Sequence, residues 1–121
     1  QEDVDLIVAW DEGDTTQVVL IEAKGVTAHS NTQVGSKLKK LRLLFGDDGL
    51  ARPGVTPHFL LTSPSRPTKL ATDHMPQWCK DDTGRLRWLH LDVPDNLVYP
   101  TRCDDSGNVT KLGGKWLLRF R

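Results

Sequence analysis

The sequence predicts an α/β fold: a mixed central β-sheet with one crossover helix, followed by a β-rich C-terminal part. Three observations carry this reading. Two apolar runs, Asp5–Val8 and Val18–Lys24, are separated by a polar stretch of hairpin length. A segment with apolar residues at helical spacing comes next, and then a third apolar run, so the second and third strands are joined by a crossover and are expected to lie parallel. Beyond these, short apolar stretches alternate with Gly-, Asp- and Pro-containing turns.

Taken in order, Asp3 to Trp10 reads as a strand with Leu6, Val8 and Trp10 on one face and Asp5, Ile7 and Ala9 on the other. Asp11-Glu12-Gly13-Asp14 supplies the hairpin loop. Gln17 to Lys24 is apolar on both faces, the pattern of a central strand buried on each side, and Gly25 ends it. Val26 to Asn31 is a polar connection in which Ser30 or Asn31 serves as N-cap. A helix from Thr32 to Phe45 follows, its stripe made by Val34, Leu38, Leu41 and Phe45 and widened by Leu44. Gly46 is placed to stop it in a left-handed conformation. After a loop from Asp47 to Gly54, Val55 to Thr62 forms a third strand around Phe59-Leu60-Leu61. Pro64 and Pro67 make Ser63 to Lys69 irregular, and Leu70 to Cys79 reads as a short helix broken at Pro76. Leu86–Val93, Leu97–Cys103 and Lys115–Arg121 complete the strands. With no repeat, low-complexity segment or boundary signal, residues 1–121 read as a single domain.

At 121 residues the chain supports one core, and 37% hydrophobic with 26% charged residues is ordinary for a globular domain. No apolar run has the length of a membrane span and no leader is visible, so a cytoplasmic location is expected. A net charge of zero argues against a strong global polyanion binder. The distribution is uneven, however. Glu2, Asp3, Asp5, Asp11, Glu12, Asp14 and Glu22 precede any Lys or Arg; then Lys24, Lys37, Lys39, Lys40 and Arg42 run without an acid. An acidic sheet edge beside a basic helix suits cations and phosphates together. Cys79 and Cys103 are too few to form a disulfide framework and are expected as free thiols.

Alternation puts Glu22 and Lys24 on one face, and Asp5 lies on the strand that pairs with theirs. Three charged side chains converging on an apolar ribbon are costly unless a cation or a phosphate is bound there. Mg²⁺, or Mn²⁺ in its place, takes oxygen ligands and keeps several waters, so Asp5, Glu22 and the Ala23 carbonyl would suffice. Lys24 would stabilise charge developing on a phosphate. Gln33 and Lys37, one helical turn apart, would orient water or hold a phosphate, with Lys40 adding to the basic flank. Asp3 competes with Asp5 on the same strand face; Asp5 is preferred because it adjoins the apolar run.

Asp5 before an apolar run, Ile21-Glu22-Ala23-Lys24 closing the next strand, and a helix carrying Gln33 together resemble the PD-(D/E)XK nuclease superfamily over about Asp3 to Thr62. The resemblance implies a restriction-endonuclease-like core and Mg²⁺-dependent cleavage of DNA. In it, Asp5 and Glu22 would bind the metal, Lys24 would be catalytic, and Gln33 or Lys37 would assist from the helix. Val4 stands where the family often has Pro. The family's first helix and first strand would lie upstream of Gln1, which implies an N-terminally truncated member, or one completed by a homodimer partner, another chain or the β-rich tail. The alternative reading is a catalytically inactive module that keeps the fold for nucleic-acid binding or assembly.

Other residues carry less. His74, Cys79, His90 and Cys103 match no compact zinc spacing. His29 reads as a solvated loop residue, Trp78, Trp88 and Trp116 as core, and Asp81-Asp82 and Asp104-Asp105 as solvated turns.

Overall fold

A computed structural model describes residues 3–120. The chain divides into two compact units, Gln1–Leu91 and Asp92–Arg121. The first is mixed α/β: strands β1 (Leu6–Glu12) and β2 (Thr15–Ala23), helix α1 (Asn31–Phe45), then β3 (Val55–Ser63), a 3-10 turn at Gln77–Cys79 and β4 (Trp88–His90). The sheet order is β1-β2-β3-β4. β1 and β2 are antiparallel; β2 and β3 are parallel, as the crossover through α1 requires, and β3–β4 is parallel too. The second unit is an antiparallel pair, β5 (Val98–Cys103) and β6 (Lys115–Phe120).

The hairpin is tighter than the sequence predicts, because pairing continues to Glu12↔Thr15. Gly13 takes a φ of 61° at the first loop position, which a two-residue turn matching the strand twist favours. Helix α1 begins where Ser30 caps it: the Ser30 hydroxyl accepts from the Gln33 N–H at 3.3 Å. Asn31, the other N-cap candidate, instead accepts from the Ala71 N–H at 2.8 Å and donates to the Lys69 carbonyl at 3.1 Å. At the far end the Gly46 N–H closes on the Arg42 carbonyl at 2.8 Å. Its φ is 79° but its ψ is 171°, so the stop uses a glycine-only extended geometry and not the left-handed helical one expected.

Packing follows from the two periods. Leu20 of β2 and Phe59 and Leu61 of β3 share one sheet face, and Val34, Leu38, Leu41 and Phe45 of α1 cover it. Trp78 closes this core, its ring edge-on to Phe45 at 6.1 Å between centroids and its indole N–H donating to the Gly46 carbonyl at 3.1 Å. Buried among these groups, the Cys79 thiol is pushed up to about 12; Cys79 and Cys103 are both free and buried.

Several expectations are corrected. β2 is central in the sheet but covered on one face only: Val19 and Ile21, on the other, are half-buried. Leu44 stands 43% exposed, outside the helix stripe. The Leu86–Val93 strand shrinks to Trp88–His90, since β3 offers it only three partners. Trp116 is exposed beneath the Arg102 guanidinium at 4.9 Å, and is not core. Among the described residues no helix is long and apolar enough to cross a membrane.

The helix orientation is testable. Leu38→Ala, at a site 4% exposed, should cost about 2–5 kcal/mol in urea unfolding, whereas Leu44→Ala should stay within about 0.5 kcal/mol.

Candidate active site

Register builds the site. Continuing the ladder one step past Leu6↔Ile21 sets Asp5 opposite Glu22, so both share the face covered by α1. The Asp5 carboxylate oxygen Oδ2 accepts the Ala23 N–H at 2.8 Å, and the Asp5 N–H donates to the Ile21 carbonyl at 3.1 Å. These bonds fix Asp5 at the point where β1 begins. Asp3 meets the site through its backbone, its carbonyl accepting from Lys37, which leaves the Asp5 side chain beside Glu22 as the sequence argument preferred.

Glu22 is the buried centre, with a side chain 5% exposed. Lys24 Nζ lies 3.7 Å from its Oε1, and Lys37 Nζ, entering from α1, bonds its Oε2. The two lysines differ in freedom: the Lys37 side chain is 9% exposed and the Lys24 side chain 22%. Lys37 is therefore a committed counter-ion, held between Glu22 and the Asp3 carbonyl, while Lys24 keeps a side open to solvent. The Asp5 carboxyl is held below the usual carboxylate range, first by the Ala23 N–H; burial opposes this, and the Glu22 side chain, Lys37 and Lys24 lower it further. Asp5 is thus ionised at neutral pH.

Helix α1 delivers its other candidates elsewhere. Gln33 is exposed, and its Oε1 accepts from the Ser30 hydroxyl at 3.3 Å. With the Gln33 N–H donating to the Ser30 hydroxyl, both bonds run between the same two residues, so the Gln33 amide oxygen is engaged at the helix start. Lys40 is exposed on α1.

His29 is the residue whose role the sequence reading misjudged. It is 7% exposed, not solvated. Its Nε2 lies 3.2 Å from the Thr62 carbonyl, and because a carbonyl only accepts, Nε2 carries the proton. The same carbonyl takes the Lys24 N–H at 2.9 Å. His29 therefore ties the connection between β2 and α1 to the end of β3, beside Lys24. A signal existed: His29 immediately precedes the Ser30 cap, the position that commonly folds inward against the first helical turns. Its pKa is lowered, chiefly by burial; the Thr62 carbonyl and Glu22 oppose this and Lys24 adds to it.

The donor set can be tested against a metal. Among the described residues no three His, Cys, Asp or Glu groups assemble around one point, which is unlike a zinc centre. Two carboxyl side chains, Asp5 and Glu22, suit a hard cation that retains waters. In that sense the residues fit Mg²⁺, with Lys37 also pairing with Glu22.

Two measurements check this description. Lys37→Met leaves Glu22 buried with its strongest partner gone and should cost about 3–5 kcal/mol; Lys24→Met, on the more open lysine, should cost under about 1 kcal/mol. Because the His29 pKa is lowered from 6.5, the unfolded chain binds its proton more readily. Stability should be full above pH 6.5 and fall as pH drops below it, and His29→Gln should flatten that fall.

Compared with known proteins, the chain matches no family model, no curated protein and no solved structure.

Proposed function

We propose that the protein is a metal-dependent nuclease that hydrolyses phosphodiester bonds in DNA, built on a restriction-endonuclease-like core. The observation that carries this reading is the meeting of Asp5, Glu22 and Lys24 at one end of the β1–β2 pair, where Glu22 is buried and Lys24 partly open. The order strand, strand, crossover helix, parallel strand supports it, as does the sequence resemblance.

In this reading Asp5 and Glu22 hold Mg²⁺, which supplies Lewis-acid polarisation of the phosphate and a water of lowered pKa when bound. Lys24 places its ammonium where negative charge grows on the non-bridging oxygens as water attacks phosphorus and the P–O bond to the leaving sugar breaks. Lys37 holds the Glu22 carboxyl in place through its bond to Oε2. His29, through Thr62, holds the Lys24 backbone in place. Lys40 lies on the same helix as Lys37 and adds positive charge toward a bound phosphate backbone. Gln33, occupied in the helix cap, takes part only if that cap opens.

One observation favours a second reading, a catalytically inactive module of the same fold that binds nucleic acid: Lys37 of α1 pairs with Glu22, a contact that by itself serves to dock helix on sheet.

Nicking of supercoiled DNA separates the two. The first reading expects cleavage in Mg²⁺ or Mn²⁺, reduced about 100-fold or more in Lys24→Ala with an unchanged circular dichroism spectrum. Binding with a steep salt dependence but no cleavage in either metal selects the module. By calorimetry, Glu22→Ala should abolish divalent-ion binding, and unchanged binding would remove the site assignment.

A further inference from the structure

Strands β2, β3 and β4 run parallel, so their carboxyl ends meet at one rim of the sheet, the position at which open α/β sheets take ligands. Pairing sets the residues along that rim. Ser63 lies beside His90, and one step past Ala23↔Thr62 the ladder sets Lys24 beside Ser63. By alternation Lys24, Ser63 and His90 share the face covered by α1, in the row next to Glu22, Leu61 and Trp88. Neighbouring strands are about 4.8 Å apart, so His90 stands about 10 Å along the rim from Lys24.

The far end of this row carries a built basic group. Ser63, 3% exposed, accepts from the Trp88 indole N–H at 3.0 Å and donates to the Ser65 carbonyl at 2.8 Å. The segment after β3 therefore turns back over β4, and the Arg66 guanidinium lies over the Trp88 ring, 5.7 Å from its centroid. Pro64 and Pro67 restrict the backbone on either side of Arg66. His90 sets its ring edge-on to Trp88 at 5.9 Å between centroids. Trp88 is half-buried, whereas Arg66 and His90 are exposed. One Arg66 N–H reaches the Leu86 carbonyl, at 3.4 Å. Among the described residues its other donors have no partner and no carboxylate forms an ion pair with it; Asp81 feels its charge only at longer range. A guanidinium stacked on an aromatic face with its donors open is the arrangement that grips a phosphate at two oxygens.

We propose that Arg66, with His90 beside it, is a phosphate-binding subsite for the DNA strand that crosses Lys24. A strand laid along the rim meets Lys24 at the phosphate to be cleaved and Arg66 at a flanking phosphate. There Arg66 donates from its guanidinium edge and His90 from a ring N–H. The two anchors fix the path of the strand across the ends of β2, β3 and β4. The proposal rests on the nuclease reading for the reaction at Lys24, and on the row itself for the contact at Arg66.

The test measures binding of a short DNA duplex in the Lys24→Ala background, which keeps cleavage out of the measurement, and steady-state cleavage with Lys24 intact. Arg66→Gln should weaken binding about tenfold and lower the slope of log affinity against log salt by about one. With Lys24 intact it should raise KM about tenfold and leave kcat within about twofold. Arg66→Lys, which keeps the charge and loses the planar fork, should restore the slope but not the full affinity. His90→Gln leaves the stack of Arg66 on Trp88 in place and should weaken binding about threefold. Arg52→Gln, at an exposed position before the start of β3 on the opposite rim, should change neither affinity nor slope. Circular dichroism spectra should be retained throughout. Unchanged affinity and slope in Arg66→Gln, or a loss no larger than that of Arg52→Gln, overturns the proposal, and cleavage by the wild type then leaves the nuclease reading standing. A wild type that never cleaves, with the Arg66→Gln losses present, removes the nuclease reading and keeps the phosphate contact. If Arg66→Gln does not fold, full affinity in both Arg66→Lys and His90→Gln overturns the proposal.

Discussion

The buried carboxylate of Glu22 is the constraint on which the first unit depends. A carboxylate taken out of water carries a desolvation cost of several kcal/mol, and the chain offsets it with two lysines from different elements. Lys37 must approach from α1 and Lys24 from the end of β2. For both to arrive, α1 has to cross the sheet at one height and in one rotation, with Val34, Leu38 and Leu41 turned inward on either side of Lys37. The same ion pair that resolves the charge therefore also specifies how helix and sheet dock. Apolar packing alone would tolerate neighbouring registers; a buried carboxylate with fixed partners does not.

The sheet is asymmetric as a consequence of its size. A 15-residue helix covers the breadth of two strands, and here it lies over β2 and β3, whose inward residues Leu20, Phe59 and Leu61 are nearly inaccessible. β1 lies beyond its reach. Ile7 shares a face with Leu20 across the ladder, yet one is 59% exposed and the other 3%. Core quality thus falls off sharply across a single strand pair, and β1 is held mainly by its hydrogen bonds to β2 and by the Asp5–Ala23 contact.

Much of this arrangement could be read from the residues. Helix α1 was legible because Val34, Leu38, Leu41 and Phe45 recur at one period and a glycine follows. The convergence of Asp5, Glu22 and Lys24 was legible because strand alternation and hairpin pairing are local rules. What was not legible depends on long-range packing. Alternation shows that Val19 and Ile21 are apolar but not whether anything covers them. Gln33 lies on the helical turn preceding Lys37, and helical spacing cannot tell that one side chain turns back to Ser30 while the other reaches Glu22. His29 was misread for the opposite reason: a polar loop looked solvated, whereas the Thr62 carbonyl at the end of β3, distant in sequence, offered it a buried partner. Trp116 was assigned to a core that a two-stranded unit cannot build.

Asp5 lies where the helix-covered face and the start of β1 meet. It is the acid that faces Glu22, and it is also the residue at which the exposed edge begins. Its carboxylate is positioned by one N–H from Ala23, so its geometry is only as firm as the start of β1. Glu22, by contrast, sits within β2 and is held by Lys37 from α1 and by Lys24. The candidate site is thus rigid on its buried side and compliant on its open side, and the compliance lies in the strand with the least burial.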